Sequence, residues 1–118
     1  MTRKELKVKL DVLTEQSSLK ELQSYVNDMI KVRGFNDEDL KDLMILFTEE
    51  TGELAKEVRK LTHMKMDVLE KSTANIEGEI ADIFIYLLSI CRNLNIDLFE
   101  AFKAKEEKNS SRVWTKPS

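Results

Sequence analysis

Four acidic residues fall into two pairs of equal spacing, Glu50 with Glu53 and Glu79 with Asp82. On a helix an i,i+3 spacing sets two carboxylates side by side, with Cβ atoms about 5–6 Å apart. Glu49 stands next to the first pair and Glu57 one turn beyond it. Carboxylates gathered in this way suit a hard divalent cation. Mg²⁺ takes oxygen ligands and keeps several of its waters, which leaves positions open for phosphate oxygens. Mn²⁺ is the alternative ion for the same donors. For Glu49 and Glu57 an ordinary solvated face explains the acids equally well.

The case for a site rests on where these acids lie relative to the apolar stripes. Successive helical residues turn by about 100°. With Phe47 at the centre of one stripe, Glu50 lies roughly 60° to one side, Glu57 roughly 80° and Glu53 roughly 120°. With Ile83 at the centre of a second stripe, Glu79 lies only about 40° away and Asp82 about 100° away on the same side. Glu79 therefore falls inside an apolar stripe. If the two helices pack antiparallel, both pairs meet in a half-buried place. Without a cation such a meeting is costly, because like charges repel and burial disfavours an ionised carboxylate.

Several elements must position these acids. Residues 1–17 form an arm or short helix, with Leu6, Leu10 and Leu13 at helical spacing and Val8, Leu10 and Val12 alternating like a strand. Ser18 and Glu21 form a capping box for a helix to about Val32, which Gly34 ends. Asn36 or Asp37 caps a second helix, from about Glu38 to His63, with the stripe Leu40, Leu43, Met44, Phe47, Leu54, Val58 and Leu61. Residues 64–74 read as a connection. A third helix, from about Asn75 to Leu94, carries the stripe Ile76, Ile80, Ile83, Leu87, Ile90 and Leu94. Asp97 caps a fourth. Residues 18–114 thus form one helical domain and 115–118 a polar tail.

Composition agrees. A chain of 118 residues with 42% hydrophobic and 35% charged residues suits a single globular domain. Three glycines and one proline favour long helices over many short strands. A net charge of −3 argues against a nucleic-acid polymer as partner, although Lys103 to Lys116 is locally basic. The longest apolar run, Ile83 to Leu88, is far short of the ~20 residues that span a bilayer. One cysteine, Cys91, excludes an internal disulfide, and no secretory signal opens the chain, so a cytoplasmic setting is expected. The single histidine, His63, leaves no histidine-based metal site or catalytic triad within one chain.

These motifs resemble a known family. Glu49-Glu50-Thr51-Gly52-Glu53 followed by Glu79-Ile80-Ala81-Asp82 is similar to the EExxE…ExxD signature of the MazG-like all-α nucleotide pyrophosphohydrolases. Gly52-Glu53-Leu54 matches the end of the first motif, and Asp82 to Leu88 the apolar segment after the second. Asn95-Ile96-Asp97-Leu98 resembles the family's GIDL turn, with asparagine at a position that tolerates a left-handed backbone. Lys105 to Asn109, with Arg112 and Trp114, resembles its C-terminal ending. The likeness spans roughly residues 20–114.

The resemblance implies an all-α four-helix core, completed as a homodimer or homotetramer. It implies Mg²⁺-dependent hydrolysis of a nucleoside triphosphate to the monophosphate and pyrophosphate. Glu50, Glu53, Glu79 and Asp82 would be metal ligands. Glu49 would bind a second metal ion or orient the attacking water. Lys105, Lys108, Asn109 and Arg112 would contact phosphates or sugar. Phe35 and Asn36 fall about where the family's base-contacting aromatic stands.

Two other readings compete. One is a non-catalytic helical interaction module with a structural metal site. The other, a di-iron carboxylate bundle, usually needs Glu-x-x-His pairs, and none occurs. The third helix is apolar nearly all round, since Phe84, Ile85, Leu88 and Cys91 lie off its main stripe. Its second face is therefore expected to meet another subunit.

Overall fold

The computed structural model describes residues 1–63, 74–115 and 117. They form five helices: α1 (Arg3–Val12), α2 (Leu19–Arg33), α3 (Leu40–His63), α4 (Ala74–Leu94) and α5 (Leu98–Ser110). No strand occurs among the described residues. The expected connection lies, except for Ala74, outside them.

Local chemistry sets the helix ends. Thr2 and Glu5 form a capping box that starts α1, so the ambiguous N-terminus is helical. Ser18 and Glu21 do the same for α2, which closes on Gly34 at φ 76°. The α3 cap is Asp39 rather than Asn36 or Asp37. Its Oδ1 accepts from the Asp42 N–H at 2.9 Å, and Asp42 Oδ2 accepts in return from the Asp39 N–H at 3.1 Å. Either earlier residue would have lengthened the helix, but this reciprocal pair satisfies two free N–H groups at once. Asn95 ends α4 at φ 56°, and the Asp97 side chain caps α5.

A small core gathers Leu6, Val26, Met29, Ile30 and Leu88, drawn from α1, α2 and α4. The N-terminal helix therefore contributes a buried side chain. α4 is the central element, packed by both α2 and α3. Gln23 of α2 holds the α4–α5 turn, donating to the Ile96 carbonyl at 3.0 Å and accepting from the Leu98 N–H at 2.9 Å.

The buried side of α4 differs from the expected stripe. Leu88, Ser89 and Cys91 are buried, whereas Ile83, Leu87 and Ile90 are half-buried. Ile80 and Leu94 are 53% and 48% exposed. The periodic stripe assumes a single partner. With α2 on one flank and α3 on another, the deepest line falls between them and away from the centre of the apolar arc. On α3, Leu43 is buried, Phe47, Leu54 and Leu61 are half-buried, and Leu40, Met44 and Val58 are exposed. α5 buries no residue and packs chiefly on α2. The radius of gyration is 17.8 Å, against about 13 Å for a compact chain of this length.

Candidate metal centre and adjoining cavity

Glu50 meets Glu79 and Asp82, while Leu46 and Leu43 share a cavity with Tyr86 and Ser89. Numbers falling along α3 meet numbers rising along α4, so the two helices run antiparallel. That orientation brings one acid pair towards the other.

One oxygen from each of Glu50, Glu79 and Asp82 lies within 4.8 Å of the other two. Glu50 and Glu79 are half-buried, and Asp82 is exposed. Glu79 Oε2 is buried and has no hydrogen-bond partner. A buried carboxylate oxygen without a donor is costly and calls for a proton or a cation. The Glu50 carboxyl is pushed up to about 7 from its ordinary 4.5. Pairing with Glu79 is the largest cause, followed by burial and then the charges of Glu79, Asp82 and Glu53. An ionised pair at this spacing repels, and a retained proton relieves it.

The other expected acids stand apart from this trio. Glu53 is exposed and outside the group, though its charge reaches Glu50. Glu49 is also exposed, and its charge acts on Tyr86. Glu57 is ion-paired with Lys60 at 3.5 Å. Helical position accounts for these outcomes, since Glu53 and Glu49 lie further round α3 from its buried side than Glu50 does.

The expected phosphate contacts lie on α5 and just after it. Lys105, Lys108 and Arg112 are exposed and make no ion pair with any of these acids. The Asn109 amide donates to Glu106 at 3.0 Å, and the Arg112 guanidinium stacks 4.6 Å above the Trp114 ring. Within one chain, α5 and the carboxylate trio are not brought together by these contacts.

A cavity of about 270 Å³ opens beside Asp82, between α2, α3 and α4. Tyr86 lines it one turn along from Asp82, with Phe35 and Glu38 nearby and Arg33 and Arg92 also in its wall. Burial raises the Tyr86 phenol above its ordinary 10.0, as do the charges of Glu50, Glu38, Asp82 and Glu49. Neither arginine stands out in the sequence. The available signal was that Asp82, Ser89 and Arg92, at steps of seven and three, share one face of α4. Cys91 is buried, and burial raises its thiol, which leaves it inert.

No described helix is long and apolar enough to cross a membrane. Among curated proteins, none matches the chain. The family model described as the MazG nucleotide pyrophosphohydrolase domain matches residues 38–114. The match starts at Glu38 and takes in the acid trio and the basic end of α5, while α1 and α2 precede it. It covers more than half of an all-helical chain whose two acid motifs converge, and the chain belongs to the MazG nucleotide pyrophosphohydrolase domain family.

Proposed function

We propose that the protein is a Mg²⁺-dependent pyrophosphohydrolase that converts a nucleoside triphosphate to its monophosphate and pyrophosphate. The observation that carries this reading is the buried, unpartnered Glu79 Oε2, set against Glu50 and within reach of Asp82. Three hard oxygen donors within 4.8 Å, beside a buried Glu79 Oε2 that has no hydrogen-bond partner, fit a divalent cation. Glu50, Glu79 and Asp82 would hold it, with Glu53 one turn away as a fourth ligand. A bound Mg²⁺ (or Mn²⁺) supplies charge neutralisation for the phosphates and lowers the pKa of a coordinated water.

The chain's own groups supply the remaining work. Glu49, exposed and next to Glu50 in sequence, is the proposed base that orients and deprotonates the attacking water. Lys105, Lys108, Asn109 and Arg112 are the proposed contacts to phosphate and sugar. The charges of Lys105, Lys108 and Arg112 are not paired with the acids, and with the Asn109 amide they would stabilise the leaving pyrophosphate as it gains charge. Because α5 packs on α2 and leaves Phe99 and Phe102 49% and 62% exposed, we assign the protein to a homodimer or homotetramer. The extended radius of gyration supports that assignment.

The test is release of pyrophosphate from a panel of ribo- and deoxyribonucleoside triphosphates, with Mg²⁺ and with EDTA, for the wild type and Glu79→Gln. The expected result is a Mg²⁺-dependent monophosphate and pyrophosphate, lost in the variant. A folded, Mg²⁺-binding protein that turns over no nucleotide would instead point to an interaction module with a structural ion.

A further inference from the structure

We propose that the cavity beside Asp82 holds the nucleobase, and that Arg92 selects bases bearing a carbonyl on the edge remote from the sugar. Uracil, thymine and guanine carry oxygen there, whereas cytosine and adenine carry an amino group. This inference rests on the pyrophosphohydrolase reading above.

The cavity has two chemically different ends. Asp82 belongs to the carboxylate trio, and Arg92 lies ten residues further along the same helix, about 15 Å at 1.5 Å per residue. A scissile phosphate held at the trio therefore leaves room for the nucleoside to extend towards Arg92. The wall between the ends is apolar and aromatic, with Met29, Ile30, Leu43 and Tyr86. Such walls suit the faces of a base and not a chain of phosphates.

Polar groups at the far end fix the edge that is read. Arg92 is half-buried and makes no ion pair among the described residues. A guanidinium donates through five N–H groups and accepts through none. It matches a carbonyl oxygen and confronts an amino group donor to donor. The hydroxyl of Ser89, in the same wall, already donates to the Ile85 carbonyl at 2.9 Å. Glu38 lies near Tyr86 and is an acceptor. Keto bases offer it a ring N–H, while cytosine and adenine present a bare ring nitrogen at that position.

Two measurements test the assignment. The first compares kcat/KM for dUTP, dTTP and dGTP with that for dCTP and dATP. The wild type is expected to favour the keto group by tenfold or more, since a site built to donate rejects a substrate that cannot accept. Arg92→Gln, whose amide both donates and accepts, should collapse that ratio, raising KM for keto substrates more than it lowers kcat. Arg92→Lys keeps the charge and should retain part of the preference. The second is calorimetric binding of dTMP and dCMP to the unaltered protein, which needs no turnover. Tighter dTMP binding, weakened in Arg92→Gln, supports the assignment. Equal affinities, or a wild-type preference for amino bases, overturn it. Absence of turnover with a clear dTMP preference would overturn only the hydrolytic reading.

Discussion

Carboxylate oxygens of Glu50 on α3 and Glu79 on α4 come within 4.8 Å of each other across the interface of two antiparallel helices, and pairing with Glu79 is the main reason the Glu50 carboxyl is pushed up to about 7. Two acids are packed together where the apolar stripes of two helices would otherwise close. The arrangement is unfavourable for the metal-free fold and favourable for holding a cation, so stability and binding should respond in opposite directions to the same substitution.

Glu79→Gln makes that opposition measurable. The amide donates to Glu50 and removes one buried negative charge, so the metal-free protein should gain about 1 kcal/mol, which raises Tm by a few degrees. Mg²⁺ should no longer add stability. Thermal melts with EDTA and with saturating Mg²⁺ would read both effects. A variant less stable than the wild type in EDTA would show that the pair is not strained.

Acidity gives a second handle. The folded protein holds the Glu50 proton more tightly than the unfolded chain, whose carboxyl has its ordinary value of 4.5. The stabilisation linked to this proton is fully present below pH 4.5. It is lost as pH rises through about 7, because there the folded state must also give up the proton. Metal-free Tm should therefore carry a falling component between these limits, absent in Glu50→Gln. Cation affinity should rise over the same range as the competing proton leaves. A titration of Mg²⁺ binding at pH 5.5, 6.5 and 7.5 checks the second trend, and an affinity independent of pH would count against Glu50 as a ligand.

Much of this was legible in the sequence, and the remainder was lost for identifiable reasons. Ser18, Glu21, Gly34 and Asp97 announce helix ends through chemistry that acts within four residues. Glu79 stood out because an acid in an apolar stripe conflicts with its neighbours. The buried side of α4 departs from the periodic stripe because Leu88 packs against Val26, Met29 and Ile30 of α2, a partner far away in sequence. Arg92 was invisible for the same reason. An arginine near a helix C-terminus is unremarkable until a cavity with an acidic opposite end forms in front of it.

Gly34 provides a control for stability alone. Its φ of 76° disfavours any Cβ, yet an added Cβ would meet nothing within 4 Å. Gly34→Ala should therefore lose about 1 kcal/mol from backbone strain, with no change in Mg²⁺ affinity. Asn95→Gly, at φ 56°, should be close to neutral, because glycine adopts that region freely and asparagine tolerates it. Chemical denaturation of both variants would show whether the helix ends matter only for folding.

The apolar surface left on α4 bears on assembly. Ile80 is 53% exposed and Phe84 37% exposed, on a helix whose other flanks are already taken by α2 and α3. The described residues of one chain leave them uncovered, and Ile80 lies next to Glu79 in sequence. If a second subunit covers this face, Ile80→Glu should replace apolar contact with a buried charge and shift the protein towards monomer. Substitution of one large apolar contact typically costs a few kcal/mol at an interface, enough to lower association by a factor of about 100 at 1.4 kcal/mol per tenfold. Sedimentation of wild type and variant would measure it. Loss of Mg²⁺-dependent turnover together with the oligomer, while the isolated variant still binds Mg²⁺, would mean that the partner completes the site. A wild type that sediments as a monomer at micromolar concentration would remove the oligomer from the account, and the exposed face of α4 would then need another partner.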